Sequence, residues 1–309
     1  MEAIIYKSTG SWYLAKTPEG VLWQCRIAGK MKIDEEITTT NPVSVGDLVD
    51  LEEEDLVQRT AIITRVRPRD NYIIRSSPHN RFKNHVVAAN MDQAILVATL
   101  KAPRTSQGFI DRFLVTAAAY HVPAVVVFNK QDLYRAKEMQ RFERLKEIYT
   151  GMSYPVLLVS ALKDEGLEAI RGILAGKTSL LAGHSGVGKS TLINDLIPAL
   201  AIKTQDVSGW SGKGMHTTTF AEMHELPFGG RIIDTPGIRE LGIVDMEKQE
   251  LSHYFLDMQP FLTGCRFNNC LHVNEPGCAV VEAVEEGKIT VERYESYLVM
   301  LETLERPGW

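Results

Sequence analysis

Cysteine is scarce in this chain, four in 309 residues, and three of them, Cys265, Cys270 and Cys278, crowd one short stretch while Cys25 stands far away. That excludes a disulfide-stapled scaffold and, in a reducing compartment, points to a metal. A long apolar run is missing as well. The longest stretch free of Asp, Glu, Lys and Arg ends at Asn129, contains His121 and Pro123, and falls short of the ~18 apolar residues a spanning helix needs. No membrane span is expected. The opening Met1-Glu2-Ala3-Ile4-Ile5-Tyr6-Lys7 lacks the basic start and apolar core of a secretory signal, so a cytosolic protein is expected. Nor is there an excess of positive charge. Thirty-four basic against 39 acidic side chains leave a net charge of -5, which excludes nucleic-acid binding by bulk electrostatics and confines any such face to a local patch. What remains is an ordinary globular composition, 44% hydrophobic and 24% charged, which excludes wholesale disorder and fibrous repeats. The length suits about two domains of ~150 residues.

Two textures divide the chain. Up to about Ser77, short β-favouring runs such as Ala3–Tyr6, Val21–Ile27 and Ala61–Ile63 are punctuated by Gly10, Gly20, Gly29 and Gly46, which predicts a small all-β barrel or sandwich. Ser76-Ser77-Pro78-His79-Asn80 reads as a linker, placing a boundary near 80. Beyond it, Ala94–Ala98, Ala124–Phe128 and Val156–Val159 are nearly continuous apolar runs, and Ile110, Phe113, Leu114 and Ala117 mark one helix face between the first two. This is a βαβ pattern with a parallel sheet, to which Thr178–Ala182 and Arg231–Asp234 add strands. From about Met246 the pattern turns helical, with Val291, Tyr294, Leu298 and Leu301 on one stripe. The expected division is 1–80, 81–245 and 246–309.

Gly183-His184-Ser185-Gly186-Val187-Gly188-Lys189-Ser190 follows a strand and enters a helix at Thr191, the context of a phosphate-binding P-loop. Residues without a Cβ let successive N–H groups converge on phosphate oxygens at a helix start. Lys189 is expected on the β and γ phosphates and Ser190 on Mg²⁺. Asn129-Lys130-Gln131-Asp132 follows another strand. A carboxylate at Asp132 pairs with guanine N1–H and the exocyclic amine, a donor pair that adenine lacks, so GTP and GDP are expected over ATP. Ser160-Ala161 ends a third strand and offers a backbone amide for guanine O6. Asp234-Thr235-Pro236-Gly237 ends a fourth, with Asp234 expected to hold the Mg²⁺ shell through water and the Gly237 amide expected to sense the γ phosphate. Between these last elements, Ser208–Thr219 has no apolar periodicity and reads as a switch, with Thr218 favoured for Mg²⁺ and the γ phosphate. Many GTPases place a water-orienting Gln after the glycine of this element. Here it is Ile238, so intrinsic hydrolysis should be slow, and His216 is the local candidate for catalysis.

Cys265-x4-Cys270-x-His272-x5-Cys278 supplies three thiolates and one imidazole, the ligand count of a closed, structural zinc site. Arg65, Arg67 and Arg69 alternate, and Arg75, Arg81 and Lys83 follow, with Lys30 and Lys32 upstream. That run predicts a local phosphate-contacting face for RNA.

GTPases normally run P-loop, switch Thr, DxxG, NKxD, SA along the chain, whereas here NKxD and SA come first. With the N-terminal β unit and the Cys/His tail, this order resembles the circularly permuted ribosome small-subunit-dependent GTPase A family over essentially the whole length. The resemblance implies an oligonucleotide/oligosaccharide-binding barrel, a permuted α/β P-loop GTPase domain and a helical zinc domain. It also implies late maturation of the small ribosomal subunit, contact with its rRNA, and His216 as the residue brought to the γ phosphate there. The family's zinc pattern matches Cys265, Cys270, His272 and Cys278 position by position. A monomer is expected. The rival readings are a P-loop ATPase or kinase with an accidental Asn-Lys-Gln-Asp, and an RNA-binding scaffold whose nucleotide is purely structural.

Overall fold

The first texture closes into a barrel. The computed structural model describes residues 1–29, 41–76, 84–200, 221–235 and 246–305. Its strands β1 (Glu2–Ser8), β2 (Tyr13–Lys16), β3 (Leu22–Ile27), β4 (Leu48–Asp55) and β5 (Thr60–Val66) run in the order β1-β2-β3-β5-β4, with β4 pairing back to β1. Only β3–β5 is parallel. The period-two alternation sends Ala3, Ile5, Tyr13, Ala15, Trp23, Val49, Leu51, Ala61 and Ile63 inward together with Cys25, the expected place for that lone thiol.

Two of the three alternating arginines are engaged by carboxylates of the barrel and not by solvent alone. Strand β5 ends at Val66, and Arg67 returns to Glu2 at 2.8 Å and Asp50 at 2.7 Å. Arg69 grips Asp47 with two hydrogen bonds, from Nε at 2.6 Å and from an η nitrogen at 2.7 Å. The Asp47 side chain has no exposed surface, so this pair belongs to the barrel's structure. Of the three alternating arginines Arg65 is the exposed one. Spacing alone showed the alternation; the carboxylates that neutralise Arg67 and Arg69 come from distant positions. Lys30, Lys32, Arg81 and Lys83 lie outside the described residues.

The stretch read as a linker joins two paired strands, β6 (Tyr72–Ser76) and β7 (Asn84–Ala89), in an antiparallel hairpin. Next come β8 (Gln93–Ala98), α1 (Gln107–Ala119), β9 (Ala124–Phe128), α2 (Ala136–Gly151), β10 (Val156–Leu158), α3 (Leu167–Leu174), β11 (Thr178–Ala182), α4 (Lys189–Leu196), β12 (Glu222–Glu225) and β13 (Arg231–Asp234). Strands β8 to β11 and β13 are parallel in the order β10-β9-β8-β11-β13. Alternate residues of β8 and β9 serve different cores. Ala94, Leu96, Val126 and Phe128 join Ile110, Phe113 and Leu145 of α1 and α2, whereas Ile95, Val97, Val125 and Val127 join Ile170 and Ile193 of α3 and α4. Hence these strands have no polar face to read.

Strand β12, unrecognised in the sequence, runs antiparallel to β13 and pairs at its other edge with β1, Lys7 opposite Glu222. Among the described residues, one eleven-stranded sheet therefore runs through barrel and α/β domain. Lys7 bonds Glu222 at 2.7 Å, and Glu225 meets Lys16 at 2.6 Å and the Tyr6 hydroxyl at 3.0 Å. In sequence the barrel leads toward the guanine-binding half; in space it abuts the opposite edge, beside the strands that flank Asp234.

The tail forms α5 (Lys248–Leu251), α6 (Gln259–Leu262), α7 (Ala279–Glu285) and α8 (Val291–Glu305) around its own core of Leu251, Phe255, Met258, Val280 and Met300. Of the predicted α8 stripe, Leu301 is buried and Tyr294 and Leu298 pack against this core, while Val291 is 56% exposed. The stripe omits Arg293, Ser296, Tyr297 and Met300, which are buried as well. The reason is a cation at the centre of the buried face: Arg293 lies between Asp111 and Asp257, at 2.8 Å from each, and hydropathy counts such a residue as polar.

Candidate guanine-nucleotide and metal sites

The parallel strands end at one edge of the sheet, where α/β folds bind ligands, and this edge brings the sequence-predicted loops together. The loop after β11 reaches α4 through Gly188 at φ +96°, a left-handed conformation. A Cβ there would sit 2.4 Å from Asn129 Nδ2, and one on Gly183 would sit 2.3 Å from the Val97 carbonyl oxygen. Two glycines of the motif are thus required by backbone and by neighbour. Lys189 Nζ donates to the carbonyls of Gly183 at 2.7 Å and His184 at 3.0 Å. Burial pushes its ammonium below the usual lysine range, against the pull of Asp234. Asp234 is 4% exposed at the end of β13, and Thr235 next to it is buried.

Asn129 ties the loops to one another. It is 2% exposed; Nδ2 donates to the Val187 carbonyl of the P-loop at 2.9 Å, and Oδ1 accepts from the Ala161 amide at 3.1 Å. Asp132 Oδ1 accepts from the Ser160 hydroxyl at 2.5 Å. Lys130, at φ +65°, donates from Nζ to the Ala102 carbonyl at 2.6 Å. Gln131 opens a short 3₁₀ turn that ends at Leu133. Sequence reasoning missed Tyr134, whose hydroxyl donates to the Asn129 carbonyl at 2.7 Å and accepts from the Leu100 amide at 2.9 Å. Its only signal is a position just past the motif. His216, Thr218 and Gly237 lie outside the described residues.

Cys265, Cys270, His272 and Cys278 place their ligand atoms within 4.8 Å of one another. His272 Nδ1 is 3.5 Å from Cys265 Sγ and 3.4 Å from Cys278 Sγ, and the two sulfurs are 4.0 Å apart. Tetrahedral zinc with ordinary bond lengths requires about 3.6 Å for N···S and about 3.8 Å for S···S, so the set fits zinc. The loop is braced by the amides of Leu271, Val273 and Asn274 on the Glu275 carboxylate. Tyr294 and Tyr297 of α8 add hydroxyl bonds to the carbonyls of His272 and Leu271, at 2.6 and 2.8 Å.

A P-loop after β11, with the Asn129 and Ser160 loops earlier in the chain and Asp234 later, defines a circularly permuted P-loop GTPase carrying a β-barrel and a Cys/His unit. The family model described as the RsgA GTPase matches residues 66–244, and that of the RsgA N-terminal domain matches residues 2–62. The chain belongs to the RsgA GTPase family and is a GTP hydrolase. It is 51% identical over 297 residues to a "Small ribosomal subunit biogenesis GTPase RsgA" of Cytophaga hutchinsonii, covering 96% of each chain. Among solved structures it is similar to YjeQ from Thermotoga maritima, at TM-score 0.79 and 35% identity over 99% of both chains. It is also similar to YloQ, titled a circularly permuted GTPase, at TM-score 0.74 and 29% identity, covering 100% of this chain and 96% of that one.

Proposed function

We propose that this protein hydrolyses GTP during maturation of the small ribosomal subunit, binding the subunit and its rRNA in one nucleotide state and leaving in the other. The observation that carries the reading is the single sheet edge at which Asn129 joins the P-loop to the Ser160-Ala161 loop, beside a carboxylate oriented by Ser160. In this reading the amides of Gly183–Ser190 and the Lys189 ammonium hold the phosphates, and Thr191 continues the helix behind them. Asp132 pairs with the guanine edge. The Ala161 amide serves guanine O6, a role it shares with its bond to Asn129. Ser190, Asp234 and Thr218 organise Mg²⁺, and Gly237 senses the γ phosphate. Ile238 cannot orient water, so His216 completes the site when the subunit is bound.

One zinc ion held by Cys265, Cys270, His272 and Cys278 serves as a structural tie. The three units, 1–80, 81–245 and 246–309, act as a monomer in the cytosol, with the hairpin β6–β7 straddling the first boundary. No helix among the described residues is long and apolar enough to cross a membrane.

GTP turnover with and without purified small subunits tests the reading. Stimulation by subunits that His216→Ala abolishes, with GDP binding retained, is the expected result. Turnover indifferent to subunits favours the scaffold reading, and equal competition by ATP favours an ATPase. Asp132→Asn should shift preference toward xanthine nucleotides only if Asp132 reads the base.

A further inference from the structure

We propose that Arg293, carried by the Cys/His unit, is a positioning residue for the phosphate loop and acts on it through helix α1. This rests on the nucleotide reading above. Arg293 is 1% exposed and Asp111 of α1 is fully buried. The guanidinium donates to Asp111 Oδ1 at 2.8 Å and to both oxygens of Asp257, at 3.0 and 2.8 Å, while its plane lies over Phe255, 4.6 Å from the ring centroid. Asp111 Oδ1 also accepts from the Tyr149 hydroxyl at 2.9 Å. The buried carboxylate of α1 thus depends on a cation from another unit, and such a pair fixes geometry because neither charge tolerates loss of the other.

The same stretch of α1 touches the P-loop. Phe109, two residues before Asp111, packs in a tilted arrangement against His184 with ring centroids 3.7 Å apart and planes 31° apart. Ser296 of α8 lies beside Gly108, where a Cβ would meet its hydroxyl at an ordinary contact distance of 3.9 Å. The first turn of α1 is therefore held between α8 and the phosphate loop. His184 in turn supplies a carbonyl that holds Lys189 Nζ. From Arg293 to the lysine that meets phosphate, each link is a packed or hydrogen-bonded contact. Tyr297, one turn further along the same face of α8, and the neighbouring Tyr294 anchor the metal loop, so the helix that feels the metal unit also sets the register of α1.

The test uses the full zinc-bearing chain and a fluorescent mant-GDP, whose release is followed by stopped flow beside thermal melting. Phe109→Leu keeps the apolar bulk but removes the ring against His184, and Arg293→Met removes the bridge. Each is expected to speed release about tenfold, the scale of one aromatic pair. The double variant should release no faster than the faster single one, because both cut the same path. Arg293→Lys keeps the charge without the fork on both carboxylates, should recover part of the effect, and carries the test should Arg293→Met fail to fold. Wild-type release from Arg293 variants with lowered melting temperatures overturns the proposal, as does a double variant whose effects multiply. A wild-type chain that binds no mant-GDP removes the nucleotide reading itself, and this proposal with it.

Discussion

Replacing Gly188 by alanine tests the site where the phosphate and guanine loops meet. Its φ of +96° lies in a region that costs a residue with a Cβ about 1–2 kcal/mol. The new methyl would lie 2.4 Å from Asn129 Nδ2, a contact that no real Cβ tolerates. Asn129 cannot swing away freely, because its amide is held by Val187 at 2.9 Å and by Ala161 at 3.1 Å. Moving it leaves two buried partners unpaired, at about 1–3 kcal/mol each. The sum is about 3 kcal/mol at the least, or roughly a hundredfold in affinity if the free loop relieves its strain by opening and the bound loop cannot. Gly172 on α3 is the control. It is exposed with nothing within 4 Å of a built Cβ, so Gly172→Ala should raise stability by about 0.5–1 kcal/mol and leave binding alone. Calorimetric titration with GDP, beside thermal melting, reads both. A Gly188→Ala protein that binds GDP within about threefold of wild type would refute the reasoning.

Four further outcomes are expected. Tyr134→Phe removes the hydroxyl between Leu100 and Asn129 and should lower stability by about 1–2 kcal/mol, with weaker GDP binding by titration; unaltered binding would mean that the motif needs no brace from Tyr134. Chelation or Cys278→Ser should melt the tail core of Leu251, Phe255 and Met300 while the barrel persists, as read by circular dichroism; protein purified without chelator and found free of zinc by metal analysis would defeat the assignment. Arg69→Ala strips the buried Asp47 of its partner and should cost about 3–5 kcal/mol, whereas Arg65→Ala should spare stability and weaken salt-sensitive rRNA binding; denaturant titration and filter binding separate the two. Burial depresses the His224 imidazole below its ordinary 6.5, with Lys7 in the same sense and Glu222 and Asp234 opposing. The folded state thus binds fewer protons there, so its contribution to stability is complete above about pH 6.5 and is lost as pH falls through and below that value. The melting difference between wild type and His224→Gln should close in that window, and a difference independent of pH would show that His224 does not titrate on folding.

The sequence by itself determined the chemistry carried by local pattern. Glycines needed for a curled anion-binding loop, a carboxylate after a strand, apolar runs buried on two faces, and three cysteines with a histidine are each legible, because the constraint acts within a few residues. The permuted order is equally a property of the chain. Only the tertiary structure decided which charges are neutralised and by whom. Arg67, Arg69 and Arg293 look alike in sequence to solvated or RNA-contacting arginines, and their carboxylates at Glu2, Asp50, Asp47, Asp111 and Asp257 arrive from tens to hundreds of residues away. It also decided that the barrel meets β12, a four-residue strand with Met223 its one buried side chain, and that Asn129 and Tyr134 brace the loops. Periodicity reports which side of an element is dry. Pairing between distant elements leaves no local trace, since the stabilising partner is chosen by the folded geometry and not by its place in the chain.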